Sequence, residues 1–503
     1  RLEAPPLARR ERSAAGEPLS FAQSRLWFLD QLQPGSPFYN IPMALSLSGL
    51  LDRGAFARAI GEIVRRHEAL RTTFAEVDSE PVQRVTPAAL GGDPAGALSE
   101  IDLARLAEPV RAKESARLAR AEALLPFDLA RGPLLRSTLV RLDASEHVAL
   151  FTLHHIISDG WSTGVVTREL AALYAAFAAG RPSPLPEPEL QYPDYARWQR
   201  EWLDGAAFPV LADFWRRELE GAPARLDLAA DRPRPAVMST RGGARARLLS
   251  LELAADLQRL AREESSTLFM VTLAAGAALL GWLGDALDLV IGTDVAGRGR
   301  GETEGVVGFF INQLALRCRL SGDPEFRELV ARVRETTLGA YAHQDLPFDK
   351  LVETINPERS RAFAPIFQAK INLHNMPAQV LDLPDLAIAP LGVARVTAQF
   401  DWILNLTPLP EGLQAGLEYS ADLFDPATAD RMLALLETLL AAVAARPRIR
   451  LSELAVELAA ADVAERERAL GARRDERQRS LQGFRRQAVE VAGAGPILPG
   501  GAR

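Results

Sequence analysis

The apolar positions of this chain change period repeatedly, from helical spacing to strand-like runs and back, which is the pattern of an α/β protein. Leu26, Trp27, Leu29 and Leu32 fall at helical spacing after Ser20 and predict a helix starting there. A second helix carries Ala55, Ile60, Ile63 and Val64 up to His67, and a strand is predicted from Phe74 onward. Val148 to Leu153 is an almost unbroken apolar run, as expected of a strand buried on both faces. After Asp159-Gly160 the period turns helical. Val165, Val166, Leu170, Leu173, Tyr174 and Phe177 share a face, Ser162 or Thr163 is placed to cap the start, and Gly180 to end it.

A proline-rich loop, Pro182 to Pro188, leads into a tryptophan-bearing helix from Tyr192 to Leu203. Arg, Pro and Gly then concentrate between Asp231 and Gly243, a composition suited to a hinge. Beyond it a strand is predicted over Ala244–Leu253, then helices, then a strand over Leu287–Gly292. Further strands are expected near Ala369–Leu373 and Trp402–Leu406, before a closing helix from Pro426 to Ala445. From about Ala459 the chain is Ala/Arg/Glu-rich and then Gly/Pro-rich, which predicts a helix and a disordered end. The division expected is therefore a linker (1–16), a first lobe (17–230), a hinge (231–243), a second lobe (244–458) and a tail (459–503), without internal repeats.

Composition narrows the function. With 48% hydrophobic and 24% charged residues the chain has ample apolar surface for a core. A formal charge of −7 without a basic stripe argues against nucleic acid as partner. Cys318 is the single cysteine, so no internal disulfide forms, as expected of a cytoplasmic protein, and it reads best as a small buried apolar residue. The richest apolar stretch, Leu268 to Leu283, is broken by Thr272 and Gly276 and is shorter than the ~20 residues of a spanning helix, so it is read as a core helix. No apolar run precedes Pro18, and no secretory signal is expected.

The chemistry concentrates in His154-His155-Ile156-Ile157-Ser158-Asp159-Gly160. Adjacent strand residues point to opposite faces, so one imidazole should enter a cleft and the other pack inward. That divergence, with no Cys/His cluster nearby, argues against a metal site. A histidine at a strand end beside a helix start is placed to shuttle a proton near neutral pH, and Gly160 allows close approach of a substrate and an N–H for a developing oxyanion. Taken alone, the pair reads better as satisfied polar groups at the end of a core strand.

Its surroundings add a resemblance. His154 to Gly160, continuing Trp161-Ser162, resembles the His-His-x-x-x-Asp-Gly signature of nonribosomal peptide synthetase condensation domains and chloramphenicol-acetyltransferase-like enzymes. Further blocks follow in the family's order. Ser20–Leu29 resembles the opening motif, Arg66–Phe74 the second, and Tyr192–Trp198 the motif after the signature. Ile291–Arg298 and Val307–Asn312 are similar to the two parts of the second-lobe motif, and His343–Asp349 to the next. Trp161-Ser162 and Phe127–Leu134 resemble the subtype that joins an L-configured donor to an L-configured acceptor. Two departures bear on substrate: Phe363-Ala364 stand where small polar residues are common in the last motif, and Trp402 is bulkier than usual. No adenylation domain is seen in 459–503, so a stand-alone protein or an excised piece is expected.

The resemblance implies two chloramphenicol-acetyltransferase-like lobes in a V-shaped pseudo-dimer with a central tunnel, and an acyltransferase that forms amide bonds. An upstream donor and a downstream acceptor carrier protein would bring their phosphopantetheine arms from opposite faces. His155 would orient or deprotonate the attacking amine and Gly160 would hold the oxyanion. His154 would be structural. Asp159 would pair with an arginine, Arg298 first and Arg66 second, with Arg71 also supporting the site. Trp161, Ser162, Asn312 and Trp402 would line the tunnel. No metal and no cofactor of the protein's own is implied, and a monomer is expected. Ester formation, starter N-acylation and non-catalytic recruitment of a tailoring enzyme are the alternatives.

Overall fold

The structure, a computed structural model, describes residues 4–88, 98–358, 360–374, 382–383, 386–391, 397–468 and 470–471. The first half runs β1 (Glu17–Pro18), α1 (Phe21–Leu32), β2 (Asn40–Gly49), α2 (Arg53–Arg66), β3 (Thr72–Val77), β4 (Glu80–Val85), β5 (Ser99–Asp102), α3 (Glu108–Leu124), β6 (Leu135–Arg141), β7 (Glu146–His154), α4 (Gly160–Ala178), α5 (Tyr192–Trp202) and α6 (Phe208–Leu219). The second runs β8 (Gly242–Ser250), α7 (Leu251–Glu263), α8 (Leu268–Gly284), β9 (Asp288–Val295), β10 (Asn312–Arg319), α9 (Phe326–Ala342), α10 (Phe348–Ile355), β11 (Ala369–Leu373), β12 (Asp382–Leu383), β13 (Leu386–Leu391), β14 (Trp402–Leu409), β15 (Gly412–Ser420) and α11 (Pro426–Ala445).

Side-chain caps set several boundaries. Ser20 Oγ accepts from Gln23 N and Gln23 Oε1 accepts from Ser20 N, a capping box that starts α1. The strand expected over Ala244–Leu253 stops at Ser250, because the Ser250 hydroxyl accepts from Leu253 N at 3.2 Å and turns the chain into α7. Asp159, rather than Ser162 or Thr163, caps α4. A helix over residues 451–468 closes the described chain, and the expected disordered end falls outside the described residues.

Two six-stranded sheets, ordered β12-β13-β2-β7-β6-β5 and β10-β9-β11-β14-β15-β8, anchor separate apolar cores. β7 lies between β2 and β6, and its two faces meet different apolar clusters, Ala149, Phe151 and Leu153 in one and Val148 and Leu150 in the other, which explains its unbroken apolar run. The two halves are not cleanly partitioned. β13 leaves the second half to pair with β2, and Val306, Val307 and Phe310 pack into the first core. The expected hinge is stitched to the second half: Arg234 pairs with Asp401, Arg232 with Asp425, and Met238 N donates to Arg361 O. The expected N-terminal linker is also tied down, with Arg12 bridging Glu68 and Asp194 and Trp198 Nε1 donating to Pro5 O. Among the described residues no single helix is long and apolar enough to cross a membrane, and α8 is buried along nearly its whole length.

Candidate active site

β7 ends on His154, opposite Asn40 of β2, and the chain then breaks into a short 3-10 turn over His155–Ile157. The two imidazoles diverge because one belongs to the strand and the other to the turn, not because both follow the strand's alternation. His154 is buried. Its Nδ1 accepts from Ile156 N at 3.1 Å, so its proton sits on Nε2, and its ring meets Phe127 edge-on at 6.0 Å. Burial, reinforced by His155, pushes its pKa down to about 3 and keeps it neutral.

His155 lies against Phe309 with ring centroids 4.7 Å apart. Its Nδ1 sits 2.8 Å from Ser158 O, and a carbonyl only accepts, so Nδ1 carries the proton and the Nε2 lone pair is left for another partner. Burial lowers its pKa, while the negative charge of Asp159 pulls the other way. The ring borders a cavity of about 140 Å³ shared with Tyr39, Tyr195, Asp294, Asn312 and Lys370.

Asp159 is fully buried and holds three groups at once. Oδ1 accepts from Ser162 N at 2.8 Å and from Arg298 Nη2 at 3.3 Å, and Oδ2 accepts from Phe310 N at 2.9 Å. Arg298, 1% exposed at its side chain, also donates to Thr303 O, to Val306 O at 2.7 Å and to Ser162 Oγ at 2.9 Å, and stacks over Phe310 at 3.9 Å. Ser162 Oγ donates to Gly308 O at 2.8 Å and accepts from Gly308 N at 3.0 Å. Tyr192 OH donates to Phe309 O at 2.5 Å. This polar joint fastens the start of α4 to the 306–310 segment. Gly308 is needed there, since a Cβ would lie 1.9 Å from the Tyr192 ring.

The other predicted site residues are placed as follows. Gly160 is exposed at the first position of α4, where no intrahelical acceptor exists for its N–H. Asn312 borders the cavity, and its side chain donates to Gln344 O and Leu346 O and accepts from Phe348 N, which positions the start of α10. Five assignments are corrected. Arg66 does not reach Asp159; it pairs with Glu169 at 3.0 and 3.1 Å, because α2 packs on α4 beyond the signature. Against the upward pull of burial, that pair and the His67 bond hold the Glu169 carboxyl at about 2. Arg71 donates to Arg65 O and Thr86 O, away from the site. Trp402 is 1% exposed inside the second core, not on a cavity wall. Ser162 is likewise buried in the joint, and Trp161 donates to Glu304 O at 2.8 Å without bordering the cavity.

Sequence reasoning missed a partly buried polar row on the second sheet. Lys370 Nζ lies 2.6 Å from both Asp294 oxygens, Asn372 Nδ2 donates to Asp294 Oδ2, and Gln313 Nε2 donates to Asp294 Oδ1. Alternation of Lys370 and Asn372 with Ala369, Ile371 and Leu373 carried that signal. Arg25, Tyr39, Phe348 and Gln399 were also missed; they border the His155 cavity and a second one, of about 370 Å³, that touches His154. Cys318 is buried among apolar side chains, and burial pushes its thiol up to about 12.

Residues 15–462 match the family model described as the condensation domain. A linear gramicidin synthase of Brevibacillus parabrevis is 48% identical over 432 residues, which is 86% of this chain and 6% of that protein. Chondramide synthase of Chondromyces crocatus is 42% identical over 87% of this chain and 11% of its own length, so the chain spans a small part of these relatives. Among solved structures, the X-domain in complex with OxyB from teicoplanin biosynthesis has a TM-score of 0.79 and 32% identity, covering 90% of this chain and 98% of that one. The first condensation domain of the calcium-dependent antibiotic synthetase has a TM-score of 0.74 at 23% identity, covering 88% and 99%, a likeness of fold.

Proposed function

Since the chain belongs to the condensation-domain family, we propose that it joins a donor acyl or peptidyl thioester to an acceptor aminoacyl group by an amide bond, both delivered on the phosphopantetheine arms of carrier proteins. The observation that carries this reading is His155, whose Nδ1–H is spent on Ser158 O and whose Nε2 lone pair is left at a cavity where two chains could meet. A ring kept neutral by burial accepts a proton from the attacking amine and is not protonated beforehand at pH 7. Holding the arms end to end supplies much of the rate through proximity. Gly160 N–H, at a helix start, is the donor proposed for the oxyanion. Asp159 and Arg298 fix the loop and do not react. Both substrates would be L-configured. The thioester is already activated, so the reaction draws on no metal or cofactor of the protein's own.

The test is to mix the protein with loaded donor and acceptor carriers and weigh the acceptor intact. A mass gain equal to the donor acyl group is expected, and mild alkali would separate an amide from an ester. No gain with any pair would overturn the reading. The likeness to the X-domain bound to OxyB favours one second reading, recruitment of a tailoring enzyme to a carrier. Stable binding of such an enzyme without any acyl transfer would select it.

A further inference from the structure

Two cavities meet behind a partition made of Arg25, Tyr39, Phe348 and Gln399, all of which border both. They differ in chemistry. The His155 side holds the Lys370–Asp294 pair, Gln313 and Asn312. The wall of the larger cavity, of about 370 Å³, is built from Phe38, Met238, Phe363, Pro365 and Phe400, with His154 at its base. Part of its lining is apolar and uncharged: Ala398, Phe400 and Phe348 are buried, and burial keeps His154 neutral. Its polar and charged groups include Asp30, half-buried, and Gln33 and Arg361, both exposed. Arg25 is the cation of the partition, and its Nε lies 3.5 Å from Asp349.

We propose that this second cavity is the side-chain pocket for one of the two joined groups, that it selects an aromatic or branched aliphatic side chain, and that Phe363 sets this selectivity. The proposal rests on the reading that carriers deliver two acyl groups to His155. A cavity of this size matches the lower range of small-molecule pockets, and its aromatic and aliphatic wall favours an apolar group. Phe363 stands on the loop before β11 and is half-buried, so it shapes the wall without supporting either core.

Two arms of one experiment distinguish donor from acceptor. One carrier is held with glycyl while the other is loaded in turn with phenylalanyl, leucyl, alanyl, aspartyl or lysyl, and then the roles are exchanged. In one arm the wild type should favour phenylalanyl or leucyl over alanyl by ~10–200-fold in kcat/KM, the discrimination available to an apolar pocket. Phe363→Ser should cut that preference at least tenfold. Equal rates across the series, or a preference that Phe363→Ser leaves intact, would overturn the proposal. A binding readout keeps it separate from the catalytic reading. Pantetheine S-benzyl thioether should bind at least tenfold tighter than the S-carboxymethyl thioether, by calorimetry, and Phe363→Ser should remove the difference. Condensation failing with every pair while this difference stands would remove the catalytic reading and keep the pocket; no difference would remove the pocket.

Discussion

Replacing Asp159 by alanine tests whether the signature carboxylate supports or reacts. The substitution withdraws the counter-charge of Arg298, the cap on Ser162 N and the acceptor of Phe310 N together. Arg298 is 1% exposed at its side chain, so its charge cannot turn to water. Breaking a buried pair from one side costs ~3–5 kcal/mol, whereas a lost cap alone costs ~1 kcal/mol. The pair term dominates and the full sum is not reached, because Arg298 keeps Thr303 O, Val306 O and Ser162 Oγ. Unfolding entropy near ~2.1 cal/mol/K per residue gives ~1 kcal/mol/K for a chain of 503 residues that melts as one unit. Asp159→Ala should therefore melt about 3–5 °C lower, with lost activity.

Scanning calorimetry on the single variants and on the Asp159→Ala/Arg298→Met double variant separates the explanations. If the uncompensated cation is the cause, removing it as well should return much of the melting temperature, since apolar replacement of a buried pair is often neutral. Asp159→Asn, which keeps an acceptor but no charge, should fall between. An Asp159→Ala protein that melts like the wild type and yet fails to condense would refute this reasoning and place Asp159 in the chemistry.

His155→Ala should lower condensation by ~10²–10⁴-fold at saturating carriers without lowering the melting temperature, and an unchanged rate would remove His155 from proton transfer. Because burial depresses the His155 pKa, the rate should stay flat from pH 8 down through pH 6.5; a loss centred on pH 6.5 would contradict the placement. His154, with a folded pKa of about 3 against 6.5 unfolded, lets the unfolded chain bind the extra proton as pH falls below 6.5. Stability should therefore be full above pH 6.5 and fall on acidification, by about 2 kcal/mol at pH 5, and His154→Gln should flatten that slope in denaturant titrations. Chelator-treated, dialysed protein should condense preloaded carriers at the untreated rate without ATP; activity restored by one divalent ion would show that a metal takes part.

Most elements were legible because period and caps act within a few residues: α11 runs over Pro426–Ala445 and β11 over Ala369–Leu373, as their apolar spacing indicates. The errors share a different origin. The Ser250 hydroxyl overrides strand-like composition at Leu251–Leu253, and β13 crosses to the first sheet by pairing with a strand more than three hundred residues earlier. Such pairing leaves no local trace. The site divides along the same line. A histidine followed by a capped helix start is a local arrangement, visible in His154–Ser162. The shell of Asp159 is not local, since Phe310 N and Arg298 come from a loop fixed by Gly308 under the Tyr192 ring. Trp402 shows the converse error. A bulky residue after Phe400-Asp401 suggests a substrate wall, but Phe400, in the loop before β14, borders the cavity, while Trp402, the first residue of β14, is packed in the second core and does not. Which large side chains border the cavity is therefore set by packing between distant segments rather than by the signature itself.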